Sequence, residues 1–329
     1  MKNKKQIACI FWGGLGDNLS NNRWTLPIKE KYQDCEITAY CMKGAKEPHD
    51  YPSQCLRDLY GDFYKKIIYI PDTKYKKCLI QDNGGQIHNH PHCIENIPKE
   101  LEKKLKNYHK VYNFDSKDFL WNYENFDFNW YAYFNFFPAP KTDKTVELPE
   151  EDYVIFQLHS SSGNVHKISQ EWAEELVAKT SEHVKCYVID DGQDKSRYDW
   201  VYKYEQIKIL KSSIKELSSY VSKAKIFVGV DSGLKYLAFG HGVPCVLFYK
   251  LCETYGQPHP EAYYQWLPWP HYVYPLDIEV DSVFVTIMSI CDEKLLGHFP
   301  YPLKYSPIER YQFLNLYMRD GEVINEKLA

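Results

Sequence analysis

Short apolar runs rich in β-branched and aromatic residues recur along the chain, separated by stretches polar and long enough for helices. This alternation constrains the fold more than any other feature. In the first part the runs are QIACIFW (Gln6–Trp12), EITAYCM (Glu36–Met42), KIIYI (Lys66–Ile70) and KVYNF (Lys110–Phe114). In the second they are YVIFQL (Tyr153–Leu158), KCYVID (Lys185–Asp190), IKIL (Ile207–Leu210), IFVGV (Ile226–Val230) and PCVLFY (Pro244–Tyr249). Near-continuous apolar strands alternating with helices predict parallel sheets covered on both faces, built from βα units. Helices are predicted at Ser169–His183, opened by a Ser cap with acids in its first turn, and at Ser213–Ala224, where the apolar residues follow helical spacing.

Between the two sets the text changes to FPAPKTDKTVELPEE (Phe137–Glu151), rich in proline and charge and without apolar periodicity. It reads as an interdomain linker. With 329 residues, 44% hydrophobic, the chain has length for two domains of ordinary size. The expected division is residues 1–140, a linker at 141–151, a second domain at 152–305 and a tail at 306–329, helical at first. The fold class is α/β, two Rossmann-like doubly wound domains facing a central cleft.

The formal net charge of −4 gives no basic field of the kind nucleic acid requires, so nucleic acid is not an expected partner. Ten cysteines are scattered without CxxC or zinc-type spacing, which predicts reduced thiols and a cytoplasmic protein. The apolar run after the basic N-terminus is too short for a signal peptide, and no run approaches bilayer-spanning length. Contact with a membrane surface from outside, at its inner face, is compatible with this.

Ligands of doubly wound sheets sit at the carboxyl ends of the strands, so function is sought in the turns that follow them. After the first strand comes WGGLGDN (Trp12–Asn18). Gly13, Gly14 and Gly16 allow a tight turn and close approach of a ligand, and Asp17 brings a carboxylate suited to general-base work. The spacing is not that of a dinucleotide fingerprint. Asp17 as a cap of the next helix is the competing reading. In LHSSSGNVHKISQEW (Leu158–Trp172), hydroxyls including Ser161 and Ser162 and the cation Lys167 precede a helix start, a combination suited to a diphosphate; a plain polar loop is the alternative. In the third turn, Asp231-Ser232-Gly233 stands where strand becomes helix. There free backbone N–H groups and the positive end of the helix dipole face the cleft, and Asp231 serves either as helix N-cap or as a ligand contact.

Together these turns resemble glycosyltransferase family 9, the lipopolysaccharide heptosyltransferase-like enzymes of GT-B fold. The resemblance is most specific at FVGVDSGLKYLAFGHGVPCVLFY (Phe227–Tyr249), which looks like the family's strand, D-[ST]-G-x-x-H, helix, Pro, strand pattern. It is also visible at GLGDNLSNNRWTLP (Gly14–Pro27), similar to the family's G-D-x-L-x-x-[TS]-L-P start with about three extra residues before TLP. The resemblance implies an inverting, metal-independent transfer of a sugar from a nucleotide-sugar, with an ADP-linked donor favoured, to a hydroxyl of a glycan or glycolipid, and no cofactor. It implies Asp17 as general base, Lys167 as the cation on the leaving diphosphate, and donor binding by Gly14, Gly16, Ser161, Ser162, Asp231, Ser232 and Gly233. The Asp190-Asp191-Gly192 turn lies where the family reads the nucleoside. Tyr236 stands at the family's histidine position; it can donate a hydrogen bond to phosphate but carries no positive charge, which Lys235 beside it supplies if its side chain turns inward.

Three further features are weighed. IHNHPHC (Ile87–Cys93) offers His88, His90, His92 and Cys93 in what reads as a Gly/Asn/Pro loop, and a solvated or acceptor-facing loop is expected in place of a metal site. WNYENFDFNWYAYFNFF (Trp121–Phe137) reads as packing in preference to a stacking platform for sugar or lipid. QWLPWPHYVYP (Gln265–Pro275) reads as an irregular connection. Two other functions stay open: a non-catalytic nucleotide- or sugar-binding protein of the same fold, and a phage-type DNA base glucosyltransferase.

Overall fold

The computed structural model describes residues 4–11, 13–42, 50–71, 74–81, 87–96, 98–114, 137–159, 168–190, 192, 195–230, 232–249, 271–275 and 278–292. The first part runs β1 (Gln6–Phe11), α1 (Leu15–Asn21), α2 (Thr25–Lys31), β2 (Glu36–Met42), α3 (Tyr51–Tyr60), β3 (Lys66–Ile70), β4 (Lys74–Gln81), β5 (Ile87–Asn96), α4 (Lys99–Leu105) and β6 (Lys110–Asn113). The second runs β7 (Tyr153–Gln157), α5 (Gln170–Ser181), β8 (Lys185–Ile189), β9 (Ile207–Leu210), α6 (Ile214–Lys223), β10 (Ile226–Val230), α7 (Lys235–His241), β11 (Cys245–Tyr249), β12 (His271–Pro275) and α8 (Val280–Cys291).

Two parallel sheets result. One has the order β3-β2-β1-β6 and the other β12-β11-β10-β7-β8-β9. In each, the order reverses beside the first strand, between β1 and β6 and between β7 and β10, which is the topological switch point of a doubly wound sheet. The strands are greasy because both faces are covered: every residue of β7 and β10 is buried. Each fully buried Ile, Phe or Val side chain there contributes roughly 1.5–3 kcal/mol of transfer free energy.

Helix starts follow local chemistry. Ser169 caps α5 by accepting from Trp172 N at 3.1 Å, and Ser213 with Glu216 forms a reciprocal capping box at α6. Helix α8 has a β-branched sequence, VDSVFVTIMSIC, yet buries Val280, Val283, Ile287 and Ile290 at helical spacing against α5 and the sheet.

Two readings of the sequence are corrected. His88, His90, His92 and Cys93 fall on strand β5, paired antiparallel with β4, and not in a loop; their side chains lie outside the described residues. Cross-strand pairing overrides their turn-like composition. The end of the Pro/Trp segment is strand β12, parallel to β11 at the sheet edge, where Pro275 can close a strand without breaking an interior ladder. The aromatic run at 121–136 and the tail at 306–329 lie outside the described residues.

The segment between the sheets is irregular but held at both sides. Lys141 N donates to Leu59 O of α3 at 2.9 Å, while Ser219 of α6 receives the Asp143 N–H at 2.7 Å and donates to Asp143 O at 3.0 Å. Helix α3 packs on α6 and α1 on α7, and one continuous apolar cluster joins Ile7, Trp24 and Leu56 of the first part to Tyr153, Leu217 and Leu237 of the second.

Candidate active site at the two switch points

The turn after β1 is built by its own side chains. Gly13 has φ +78°, and a Cβ there would fall 2.0 Å from Asp17 Oδ2, so only glycine fits. The Asp17 carboxylate accepts the Gly14 N–H at 2.9 Å, and Asn18 Nδ2 donates to Gly14 O at 2.9 Å from below. Asp17 thus caps α1, as the competing reading held, and its side chain is also exposed on the face the turn presents. The same geometry fixes the carboxylate in place and lets it meet solvent.

After β10, helix α7 starts at Lys235 with Leu234 as its N-cap residue, whose side chain makes no cap hydrogen bond. Residues 233 and 234 make a turn first, which leaves the Ser232-Gly233 backbone ahead of the helix. Ser232 Oγ donates to Gln157 Oε1, tying this turn to the end of β7 across the switch point. Gln157 is 5% exposed, an interior amide whose oxygen is held by the turn's serine.

Lys235 is buried at 5% exposure, with Nζ 5.0 Å from the centroid of the Tyr236 ring. Its charge acts on the buried Cys245 thiol, which desolvation nevertheless holds well above its ordinary pKa. Tyr236 packs its ring against Phe137 at 5.3 Å and Phe239 at 5.6 Å. Phe137 in turn lies under the guanidinium of Arg23, 5.2 Å from the ring centroid.

The two turns meet. The Cα of Gly233 lies 3.2 Å from where a Cβ on Gly16 would stand, and the backbone N of Gly16 lies 2.8 Å from a Cβ on Gly233. Asp17 is therefore adjacent in sequence to a point of contact with the second sheet's turn.

Of the other predicted residues, Asp190 uses its carboxylate within the protein, accepting the Gly192 N–H at 2.7 Å and lying 3.6 Å from Lys211 Nζ. Ser161, Ser162, Lys167, Asp191 and Asp231 lie outside the described residues. Among the described residues no His, Cys, Asp and Glu side chains group as a metal site, and no helix is long and apolar enough to cross a membrane. Sequence reasoning missed Gln157 and Arg23. The first is a lone polar residue at the end of an apolar strand, a signal that could have found it; the second sits in the extra residues before TLP, with no pattern to mark it.

No family model and no curated protein matches the chain. Solved structures do. ADP-heptose lipopolysaccharide heptosyltransferase II of E. coli superimposes with a TM-score of 0.58 at 12% identity, covering 88% of this chain and 99% of its own. A family 9 glycosyltransferase of Veillonella parvula gives 0.56 at 13% identity, over 88% of this chain and 90% of its own. E. coli heptosyltransferase WaaC, solved with ADP, gives 0.51 at 12% identity, over 88% and 98%. With its two parallel sheets and their paired switch points, the chain has the GT-B fold of these glycosyltransferases.

Proposed function

We propose that the protein is an inverting, metal-independent glycosyltransferase, moving a sugar from a nucleotide-sugar, ADP-linked in first preference, to a hydroxyl of a glycan or glycolipid on the cytoplasmic side. The observation that carries this reading is the meeting of two switch-point turns, one with an exposed carboxylate and the other with the Ser232-Gly233 backbone ahead of a helix and a buried lysine. Transfer to a hydroxyl needs a base on one face of the sugar and positive charge on the other. Asp17 takes the acceptor proton as the new bond from acceptor oxygen to anomeric carbon forms. The bond from that carbon to the diphosphate oxygen breaks, and its electron pair leaves with the nucleotide. Lys235 and, through the resemblance, Lys167 neutralise that charge, backbone N–H groups of Asp231, Ser232 and Gly233 donate to it, and Gly14, Gly16, Ser161 and Ser162 line the donor, with Asp191 beside the nucleoside. The ADP preference is supported by WaaC having been solved with ADP.

Nucleotide release from ADP-sugars in the presence of acceptor glycans tests this. Asp17→Asn keeps an oxygen to accept from Gly14 N, so it should fold as wild type and lose transfer by 10²-fold to 10⁴-fold. EDTA should leave the wild-type rate unchanged. Transfer by Asp17→Asn at the wild-type rate would remove the base assignment. The packing of Tyr236 among Phe137 and Phe239 favours a second reading, a nucleotide-sugar-binding protein without transfer. Such a protein would bind nucleotide and release none.

A further inference from the structure

Gly16 and Gly233 pose a common question, because neither has the positive φ that reserves a position for glycine. At both, an alanine is permitted by the backbone, and what excludes a side chain is the other glycine. A Cβ on Gly233 would lie 2.8 Å from Gly16 N, 3.0 Å from Gly16 Cα and 3.3 Å from Leu15 Cγ. A Cβ on Gly16 would lie 3.2 Å from Gly233 Cα and 3.5 Å from Gly233 N. Each residue is glycine because its partner's backbone is there. The contact joins the turns of the two sheets beside Asp17 on one side and Ser232 on the other.

We propose that Gly16 and Gly233 are a pair of positioning residues whose backbone contact sets the separation between the Asp17 carboxylate and the Ser232-Gly233 amides, so that it governs the transfer step more than donor binding. This rests on the glycosyl-transfer reading above. A methyl on either glycine wedges the turns apart by a few tenths of an ångström, more for Gly233 than for Gly16, which moves the base away from the bound donor. Displacement on that scale costs catalysis on the order of 10-fold to 100-fold when reacting groups must align.

The test is a double-mutant cycle of wild type, Gly16→Ala, Gly233→Ala and the double variant, with kcat, donor KM, thermal shift by ADP and circular dichroism measured on each. The expected result for Gly16→Ala is a native spectrum and a kcat lowered about 10-fold or more, a larger factor than the accompanying rise in donor KM. The double variant should lose little beyond the worse single one, because turns already apart cannot clash again. Multiplicative losses in the double variant, or a wild-type kcat in Gly16→Ala, would overturn the pairing. If Gly233→Ala, the tighter clash, does not fold, Gly16→Ala decides alone by its split between kcat and KM. Failure of the transfer reading looks different, since wild type itself would then show no response to nucleotide and no turnover.

Discussion

His241 ends α7 with Nε2 2.8 Å from Ser218 Oγ of α6, and burial lowers its pKa from an ordinary 6.5 to about 4. The folded protein therefore holds a neutral imidazole where the unfolded chain would be protonated. Between about pH 6.5 and 4 the unfolded state binds more protons, so stability declines as pH falls through that window and levels off below it. The full loss from this residue approaches roughly 3 kcal/mol. Denaturant titrations across the window should show His241→Gln, which can keep the bond to Ser218, with a flatter pH dependence than wild type. An unchanged difference between pH 7 and pH 4 would contradict this. At the same scale Asp17 does two jobs with one carboxylate, capping α1 through Gly14 and facing solvent beside the contact with Gly233.

At the scale of elements, Ser219 of α6 holds the connecting segment by exchanging hydrogen bonds with both backbone groups of Asp143. Ser219→Ala leaves those groups without that partner and should cost about 1–2 kcal/mol in chemical denaturation; a loss below about 0.3 kcal/mol would mean the segment is held by other contacts. The strands of the two sheets were legible because parallel strands covered on both faces are written as unbroken apolar runs. Ile207–Leu210 and Ile226–Val230 coincide with what the runs predict. The hairpin β4–β5 was not legible, since its stability comes from pairing between segments whose His, Asn and Lys content reads as loop. Helix α8 was hidden by a valine- and isoleucine-rich text that only its helical packing spacing resolves. The site was legible wherever a turn follows a strand, as at Asp17 and Ser232. It was illegible where it depends on a meeting across the fold: the need for Gly233 is written in Gly16, and neither segment alone discloses it. Gln157 falls between, visible as a polar strand end but assigned a role only by its bond to Ser232.

On the scale of the molecule, the two sheets share one apolar cluster through α1, α3, α6 and α7, and the turns at the two switch points touch at Gly16 and Gly233. The arrangement sets the exposed Asp17 carboxylate of one sheet beside the Ser232-Gly233 turn of the other, and the proposed transfer places the leaving diphosphate at that turn. The central claim is that this junction binds the diphosphate of a nucleotide-sugar. Thermal unfolding of the full chain with ADP, GDP, UDP and CMP, free and sugar-linked, tests it most directly. A diphosphate nucleotide, ADP first, should raise Tm by several degrees at a concentration about 100 times its Kd, a stabilisation of about 2.7 kcal/mol. No rise with any nucleotide in the panel would contradict it.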